Sequence, residues 1–158
     1  MRKAFILIFA LSACQNPNTK KENVLTKEEQ QIAKELIQGS FDNVWSGTDT
    51  TQVARYHTDD FMILEHGEIW DNNQIKAYMK SQEKNKNRPL RKNSMEYISI
   101  EKYGNSIQMA YHNNAEFTRA DTLVLKLQWL ESALAIKTKE GWRLKMMHST
   151  RVPIKNKK

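Results

Sequence analysis

The chain has 158 residues with 25 basic and 18 acidic side chains, a formal net charge of +7, and 39% hydrophobic residues. This length suits one domain with a packed core and argues against wholesale disorder. The single cysteine, Cys14, excludes an internal disulfide framework and a cysteine zinc cluster. No apolar run reaches the roughly 20 residues that a bilayer-spanning helix needs.

The first 14 residues have the pattern of an export signal. Arg2 and Lys3 precede an apolar stretch, residues 4–11, and small residues lead to Cys14. Leu11-Ser12-Ala13-Cys14 resembles the lipobox of bacterial lipoproteins, in which the cysteine becomes the new N-terminus and carries acyl chains. The resemblance implies that residues 1–13 are removed and that Cys14 attaches the protein to a membrane of the bacterial cell envelope. A plain secretory signal peptide is the alternative.

The predicted domain spans residues 26–152, and the segments on either side of it are polar or basic. Residues 14–25 are polar and aperiodic, which predicts a flexible tether, and residues 153–158 form a basic tail. Removal of residues 1–13 takes away two basic and no acidic side chains, so the net charge falls from +7 to +5. The basic runs at residues 84–92 and 151–158 lack interleaved aromatic residues, so we expect no nucleic-acid partner. Gln15, rather than aspartate, after the cysteine resembles the outer-membrane sorting signal of some Gram-negative bacteria. In such a cell we expect the protein on the periplasmic side or at the outer membrane.

Capping residues mark the starts of the predicted helices. Thr26 with Glu29 fits a capping box, and the apolar residues behind it recur at steps of three and four until Gly47, which predicts a long amphipathic helix. A short second helix is predicted to start at Asp49 or Thr50. Asp71 with Gln74 predicts another helix start, and residues 81–92 are predicted to form a loop.

Alternating apolar residues predict strands in the second half of the chain. Residues 97–102, 106–117, 122–138 and 142–152 are predicted to form four consecutive antiparallel strands. His66-Gly67 predicts a reversal between two earlier apolar segments. Helices followed by a meander of strands predict an α+β fold, with the helices packed on one face of the sheet.

The last hairpin sets the predicted interior of the domain. A three-residue loop, Lys139-Glu140-Gly141, would place Ile136 opposite Leu144 and Leu134 opposite Met146. In this register Trp142, Leu144, Met146 and His148 face inward, with Ser132 opposite His148. Because the apolar residues up to Trp129 have the opposite parity, we expect a bulge just after Trp129. A sheet bent there would form a cone with a cavity, where ligands bind.

Several short motifs resemble the nuclear transport factor 2-like (SnoaL-like, cystatin-like cone) superfamily. They are residues 59–67, the helix at 73–79, the turn at 104–107 and the ending at 139–150, with its Gly-Trp turn and His-x-Thr. The likeness is greatest to the bacterial branch related to the calcium/calmodulin-dependent kinase II association domain. It implies a cone-shaped α+β domain and homodimers through the outer face of the sheet, which the predicted register assigns to Ala133, Ala135, Met147 and the neighbourhood of Trp129.

His148 is the candidate catalytic residue, although a core histidine with a backbone or hydroxyl partner is the preferred interpretation of its predicted position. No carboxylate is predicted to face inward; Glu131 falls on the outer side. The histidines have no metal-ligand spacing, and we expect neither metal nor cofactor. The predicted pocket consists of Tyr111, Met109, Trp129, Trp142, Met146, His148, Trp70 and Tyr78.

The sequence therefore predicts a lipid-anchored, non-catalytic domain that binds a small apolar ligand or a partner protein in or around the cone. The alternative is a cofactor-free acid–base enzyme of the isomerase, cyclase or dehydratase type. In that case His148 would be the base and Tyr111 or Tyr97 the hydrogen-bond donor.

Overall fold

The computed structural model describes residues 23–153. The predicted signal peptide, the lipidation site Cys14, most of the predicted tether and residues 154–158 of the tail lie outside the described residues. Within residues 23–153, none of the helices is long and apolar enough to cross a bilayer.

The first helix, α1 (Lys27–Gly39), begins at the predicted capping box. The Glu29 amide donates to Thr26 Oγ1 at 3.1 Å, and the Thr26 amide donates to Glu29 Oε2 at 3.2 Å. The helix continues without a break as a π-helical segment, Ser40–Ser46, and ends at Gly47 as predicted. The π-helical turn was not predicted, because a widened turn keeps the apolar face almost unchanged.

The other predicted helix starts are confirmed. Asp49 caps a short 3-10 turn, Thr50–Gln52, which leads directly into α2 (Val53–Tyr56). Asp71 accepts hydrogen bonds from the amides of Asn73 and Gln74 and so opens α3 (Asn72–Glu83).

One six-stranded sheet carries the rest of the chain. Its strands lie in the order β2-β1-β6-β5-β4-β3, and only the β1–β6 pair is parallel. The predicted antiparallel meander and the α+β class are confirmed. The strands are β1 (His57–Glu65), β2 (Glu68–Asp71), β3 (Leu90–Tyr103), β4 (Ser106–Arg119), β5 (Thr122–Thr138) and β6 (Gly141–Val152).

The turn between β1 and β2 follows its local sequence. His66-Gly67 connects the two strands with left-handed φ values of 53° and 82°, and Gly67 adopts its value without steric cost. Strand β3, however, begins at Leu90, inside the predicted loop. Leu90 pairs with Thr118 and Arg91 with Phe117, so pairing with β4 gives this basic segment an extended structure that its composition does not indicate.

The last hairpin differs from the predicted register. Thr138 pairs with Gly141, which leaves a two-residue loop, and Ile136 faces Arg143 rather than Leu144. The pairing then shifts by one residue between Leu134 and Ala135, so that Leu134 does face Met146, as predicted.

This shift decides which residues face the interior. The buried parity on β5 runs without interruption through Trp129, Glu131, Ala133 and Ala135, so the predicted bulge after Trp129 is wrong. The extra residue lies instead in β6, between Leu144 and Met146. As a result the interior residues of β6 change parity along the strand and are Trp142, Leu144, Met147 and Ser149.

The helices pack against this curled sheet. At the end of the cone next to the β3–β4 turn, called the closed end below, Lys102 of β3 forms an ion pair with Glu29 of α1 at 2.7 Å, and the Gly104 amide donates to Asn23 Oδ1. The opposite end is formed by the start of β3, the C-terminal parts of β4 and β6, and the π-helical segment. The candidate site lies there.

Candidate ligand pocket at the open end of the cone

A pocket of about 290 Å³ opens between the π-helical segment, α3 and the sheet. All six strands contribute side chains to a mainly aromatic wall that also contains a few polar or charged groups. The lining residues are Phe41, Trp45, Ile63, Glu65, Trp70, Tyr78, Arg91, Phe117, Leu127, Trp129, Glu131 and Ser149.

A larger groove of about 500 Å³ crosses β3, β4 and β5 and is lined by Lys92, Asn114, Glu116, Lys126 and Gln128 among others. Four of its polar groups already pair with one another: Lys126 Nζ lies 2.5 Å from Glu116 Oε1, and Gln128 Nε2 donates to Asn114 Oδ1 at 2.9 Å. Because these four groups are satisfied within the groove, the smaller pocket is the better candidate site.

Glu131 is the acidic group at the base of the pocket and is only 5% exposed. Ser149 Oγ donates to its Oε1 at 2.9 Å, and Asn113 Nδ2 donates to its Oε2 at 3.2 Å. Burial raises the pKa of Glu131 to about 7, against the opposing effect of these hydrogen bonds and of the nearby Arg91 charge. Near neutral pH the pocket therefore contains a carboxyl group that can either hold or release a proton.

A chain of buried amides fixes this carboxyl group. Asn113 Oδ1 accepts a 2.6 Å hydrogen bond from Asn93 Nδ2, and Asn93 Oδ1 accepts from Ser46 Oγ at 3.4 Å. The chain runs from Glu131 on β5 across β4 and β3 to the end of the π-helical segment. Such a chain satisfies the buried polar groups and links the position of Glu131 to the segment that carries Phe41 and Trp45.

Arg91 is the basic group of the pocket. Its guanidinium carbon lies 5.3 Å from the ring centre of Trp129, 5.5 Å from that of Phe41 and 5.7 Å from that of Phe117. Burial lowers the pKa of Arg91, and the charges of Glu131 and Glu65 oppose this effect. Arginine remains charged at any physiological pH, so three aromatic faces hold a cation in the pocket wall.

Several donors around the pocket lack partners. Within residues 23–153, the Arg91 Nε, the indole nitrogens of Trp45 and Trp129, and the Tyr111 hydroxyl are buried and make no hydrogen bond of suitable geometry. Tyr111 is fully buried and lies directly opposite Glu131 on the neighbouring strand. Burial, together with the Glu131 charge, raises the pKa of Tyr111 well above its ordinary value, so its hydroxyl stays protonated.

Trp70 and Tyr78 form the outer rim of the pocket. Their rings meet edge to face at 5.4 Å, and Tyr78 is 41% exposed. Trp70 Nε1 donates to Glu68 Oε2 at 2.9 Å, which fixes the indole against the β1–β2 turn. The rim therefore offers aromatic surface to a molecule that enters the pocket.

No protein-family model matches the sequence, and neither does any curated protein. Solved structures match over most of the chain. An NTF2-like protein from Cytophaga hutchinsonii has a TM-score of 0.64 and 10% identity over 81% of this chain and 100% of its own. This chain has the NTF2-like, cystatin-like fold. Two further structures share this fold. The calcium/calmodulin-dependent kinase II hub homology domain of Chlamydamonas reinhardtii has a TM-score of 0.68 and 16% identity over 78% of this chain and 98% of its own. The protein Aln2 of a Streptomyces species has a TM-score of 0.69 and 9% identity over 81% of this chain and 93% of its own.

The NTF2-like cone brings together only some of the predicted pocket residues. Trp129, Trp70 and Tyr78 line the pocket. Tyr111 and Met109 face inward as predicted but lie fully buried in the core. The remaining three do not line it: Trp142 packs in the core near the closed end, and Met146 and His148 lie on the outer face of the sheet.

The predicted inward orientation of His148 is therefore wrong. His148 is exposed and lies beside the β1–β2 turn, where it lines a shallow depression with His66. The extra residue in β6 turns its side chain outward and places Ser149 inside. Glu131, predicted to face outward, is the acidic group inside the cone, and the unbroken alternation through Leu127 and Trp129 was the sequence signal that could have identified it.

The residues predicted for the outer, dimer-forming face are also misplaced. Ala133, Ala135 and Met147 are 3%, 0% and 0% exposed and belong to the core, because they share the parity of Glu131. The outer face of β5 and β6 carries Leu130, Leu134 and Met146, with Met62 of β1 beside Met146.

A second polar cluster lies outside the pocket. His57 is 2% exposed and stacks on Phe61, with ring centres 3.8 Å apart. Asn72 Nδ2 donates to the Thr58 carbonyl, so its Oδ1 accepts from His57 Nδ1 at 3.0 Å, and Ser40 Oγ donates to His57 Nε2 at 3.1 Å. This serine–histidine–asparagine arrangement joins the π-helical segment, β1 and α3. His57 and Asn72 border a small polar depression of about 150 Å³, whereas the Ser40 hydroxyl is fully buried and closed to substrates.

Proposed function

We propose that this protein is a small-molecule-binding domain whose ligand occupies the pocket at the open end of the cone. The observation that carries the proposal is Glu131, a carboxyl group 5% exposed at the base of a pocket that opens to solvent. Burying an ionisable group lowers stability, and such groups concentrate at binding and catalytic sites. The fold supports this proposal only in general terms, since one fold hosts many functions.

The test is a titration of the full chain with 1-anilinonaphthalene-8-sulfonate, an apolar probe with one charged group, followed by the change in tryptophan fluorescence. We expect saturable binding that Trp70→Ala weakens and that His148→Ala leaves unchanged. Glu131→Gln should strengthen binding of this anion above about pH 7, because it removes a negative charge from the base of the pocket. Competition by unlabelled fragments would then rank ligands. Binding that is equally strong in all four proteins would show that the probe occupies another site and would contradict the proposal.

The pocket is proposed to face away from the membrane. The lipid anchor on Cys14, in the envelope of a bacterial cell, remains our proposal from the sequence. The described chain starts beside the β3–β4 turn, where Gly104 contacts Asn23. Arg91 and the pocket lie at the other end of β3, so an anchored domain would receive its ligand from the aqueous side. Labelling of the intact protein with palmitate, lost on Cys14→Ser, tests the anchor.

We also propose that the outer sheet face forms a homodimer. Hub domains of calcium/calmodulin-dependent kinase II are among the structures that share this fold, which supports oligomerisation in general. Leu130 is 44% exposed and Met62 37% exposed, and they flank the half-buried Leu134 and Met146. Apolar surface of this kind suits a contact with a second copy. A monomeric mass by light scattering at tens of micromolar would contradict it.

Acid–base catalysis is the second candidate function, with Glu131 in the role predicted for His148. The specific observation is its pKa of about 7, because a general acid or base works best when its pKa lies near the working pH. The test is deuterium loss from the α-carbon of a ketone probe, 2-tetralone, followed by NMR. Exchange above the buffer rate that disappears in Glu131→Gln would support catalysis, and exchange at the buffer rate would contradict it.

A further inference from the structure

The buried donors without partners cluster at one place in the molecule. Within residues 23–153, five buried side-chain polar atoms lack a hydrogen-bond partner. Three of them belong to residues that line the pocket: Nε1 of Trp45, Nε of Arg91 and Nε1 of Trp129. Folded proteins leave few such atoms unpaired, and an indole or guanidinium N–H can only donate. The partner that this cluster lacks is therefore a hydrogen-bond acceptor.

Arg91 is the only basic residue in the pocket lining, which also contains the carboxyl groups of Glu65 and Glu131. Among the described residues, no carboxylate oxygen lies within 4.0 Å of the Arg91 guanidinium, whereas three lysine–carboxylate pairs in the domain meet that distance. Glu131 does not neutralise it by contact, because its two oxygens accept from Ser149 and Asn113. A negatively charged acceptor would satisfy both the charge of Arg91 and the unpaired N–H groups.

The rest of the wall is apolar. Phe41, Ile63, Leu127 and the rim pair Trp70 and Tyr78 surround the space next to Arg91. The volume of about 290 Å³ lies near the lower limit of ligand pockets and suits a small molecule. Aromatic walls also suit organic cations, which Glu65 and Glu131 would attract. Here, however, Arg91 already occupies the faces of Phe41, Phe117 and Trp129.

We propose that the ligand of this pocket is a small amphiphilic carboxylic acid, with its carboxylate at Arg91 and the indole N–H groups of Trp129 and Trp45 and its apolar body between Trp70 and Tyr78. The proposal rests on the proposed function and specifies its ligand class. Trp129, at 7% exposure, both lines the pocket and carries an unpaired donor, and its ring already contacts Arg91. One carboxylate can accept from both groups at once.

The test compares three probes that share one apolar body: 3-phenylpropionate, 3-phenylpropionamide and 3-phenylpropylamine. Calorimetric titration of the full chain at about pH 6.5 should show the acid binding about tenfold more tightly than the amide or the amine, as a charge-assisted hydrogen bond implies. Arg91→Gln should remove this preference. Trp129→Phe, which keeps the ring and removes the N–H, should weaken acid binding several-fold and leave amide binding nearly unchanged.

Lys92→Gln is the matched control, because Lys92 follows Arg91 on the same strand but lines the larger groove across β3, β4 and β5. It removes the same charge and should leave all three affinities unchanged. Circular dichroism and melting temperature confirm that each variant is folded. If Lys92→Gln lowers acid binding as much as Arg91→Gln, long-range charge and not the pocket selects the acid, and the proposal fails.

Two negative outcomes separate this proposal from the proposed function. If the amide or the amine binds as tightly as the acid and Trp70→Ala weakens that binding, the pocket binds small molecules but the inferred ligand class is wrong. If none of the three probes binds and 1-anilinonaphthalene-8-sulfonate binds equally to wild type and to Trp70→Ala, the proposed function is contradicted and this inference with it.

Discussion

The Ser149 hydroxyl donates a 2.9 Å hydrogen bond to the Glu131 carboxylate across the β5–β6 pair. Ser149 is the immediate neighbour of His148, and successive side chains of a strand point to opposite faces of the sheet. One extra residue in β6 therefore determines that the cone contains an acid with a hydroxyl partner, while the imidazole of His148 lies outside it. The chemistry available to the site follows from this register.

Replacing Glu131 by Gln should stabilise the protein at alkaline pH. Its pKa is raised from 4.5 to about 7, so between these values the folded protein holds a proton that the unfolded chain releases. Stability therefore falls as pH rises through this window and remains low above it. Because the Ser149 hydroxyl can rotate to accept from a Gln amide, Glu131→Gln should gain up to about 3 kcal/mol at about pH 8.5 and little at about pH 5.

Urea denaturation at the two pH values measures this difference. Glu83→Gln, at the exposed C-terminal end of α3, is the control and should change stability equally little at both. A Glu131→Gln variant that is less stable than wild type at about pH 8.5 would contradict the assigned environment of Glu131.

Local signals in the sequence predicted the features that depend on neighbouring residues. The capping boxes at Thr26 and Asp71 and the turn at His66-Gly67 were predicted because their hydrogen bonds and backbone angles involve residues at most four positions apart. Strand β5 and the inward face of β4, with Met109 and Tyr111, followed from simple alternation.

Features that depend on distant pairing could not be predicted in this way. The position of the extra residue in β6 depends on both of its neighbouring strands, the antiparallel β5 and the parallel β1. The register of each pairing shifts at the Leu144–Met146 segment of β6. The pocket also depends on Arg91, which only pairing with Phe117 places in a strand. Its aromatic neighbours Phe41 and Trp45 occupy positions typical of a helical core, and only packing shows that they border a pocket.

Lowering the pH should destabilise the protein through His57. Burial lowers the pKa of His57 from 6.5 to about 4, so between these values the unfolded chain binds a proton that the folded protein does not. The contribution of His57 to stability is complete above about pH 6.5 and is lost as pH falls toward 4, by up to about 3 kcal/mol. Chemical denaturation at about pH 7 and pH 4.5 should show the loss in wild type.

The variant that tests this assignment is His57→Gln, which keeps an amide group for Ser40 and Asn72 while removing the titration. It should be less stable at neutral pH but should lose less stability on acidification. His148→Gln, which changes an exposed histidine of the outer face, should retain the wild-type pH dependence. An unchanged pH dependence in His57→Gln would refute the role of His57.

Substitutions at adjacent residues of β5 test the orientation of its side chains. Ala133 is 3% exposed and packs in the core, so Ala133→Glu would bury an unpaired charge and should prevent folding or lower the melting temperature severely. Leu134 faces outward, so Leu134→Glu should fold with a nearly unchanged far-ultraviolet spectrum and should dissociate the proposed dimer. Circular dichroism and light scattering measure both effects. If Ala133→Glu folds and Leu134→Glu does not, Leu134 faces inward and the orientation described for β5 is wrong.

Two substitutions at Tyr111 separate the contribution of its ring to stability from that of its hydroxyl group. The ring is fully buried beside Tyr97, with 5.6 Å between ring centres, whereas the hydroxyl has no hydrogen-bond partner among the described residues. Removing an unpaired buried hydroxyl relieves a desolvation cost, so Tyr111→Phe should leave stability unchanged or raise it by about 1 kcal/mol. Tyr111→Ala should cost about 3–5 kcal/mol, since it opens a cavity in the core. If Tyr111→Phe instead destabilises the protein by more than about 1 kcal/mol, the hydroxyl has a partner in solution, which the pH dependence of Tyr111→Phe combined with Glu131→Gln would identify as the Glu131 carboxyl group.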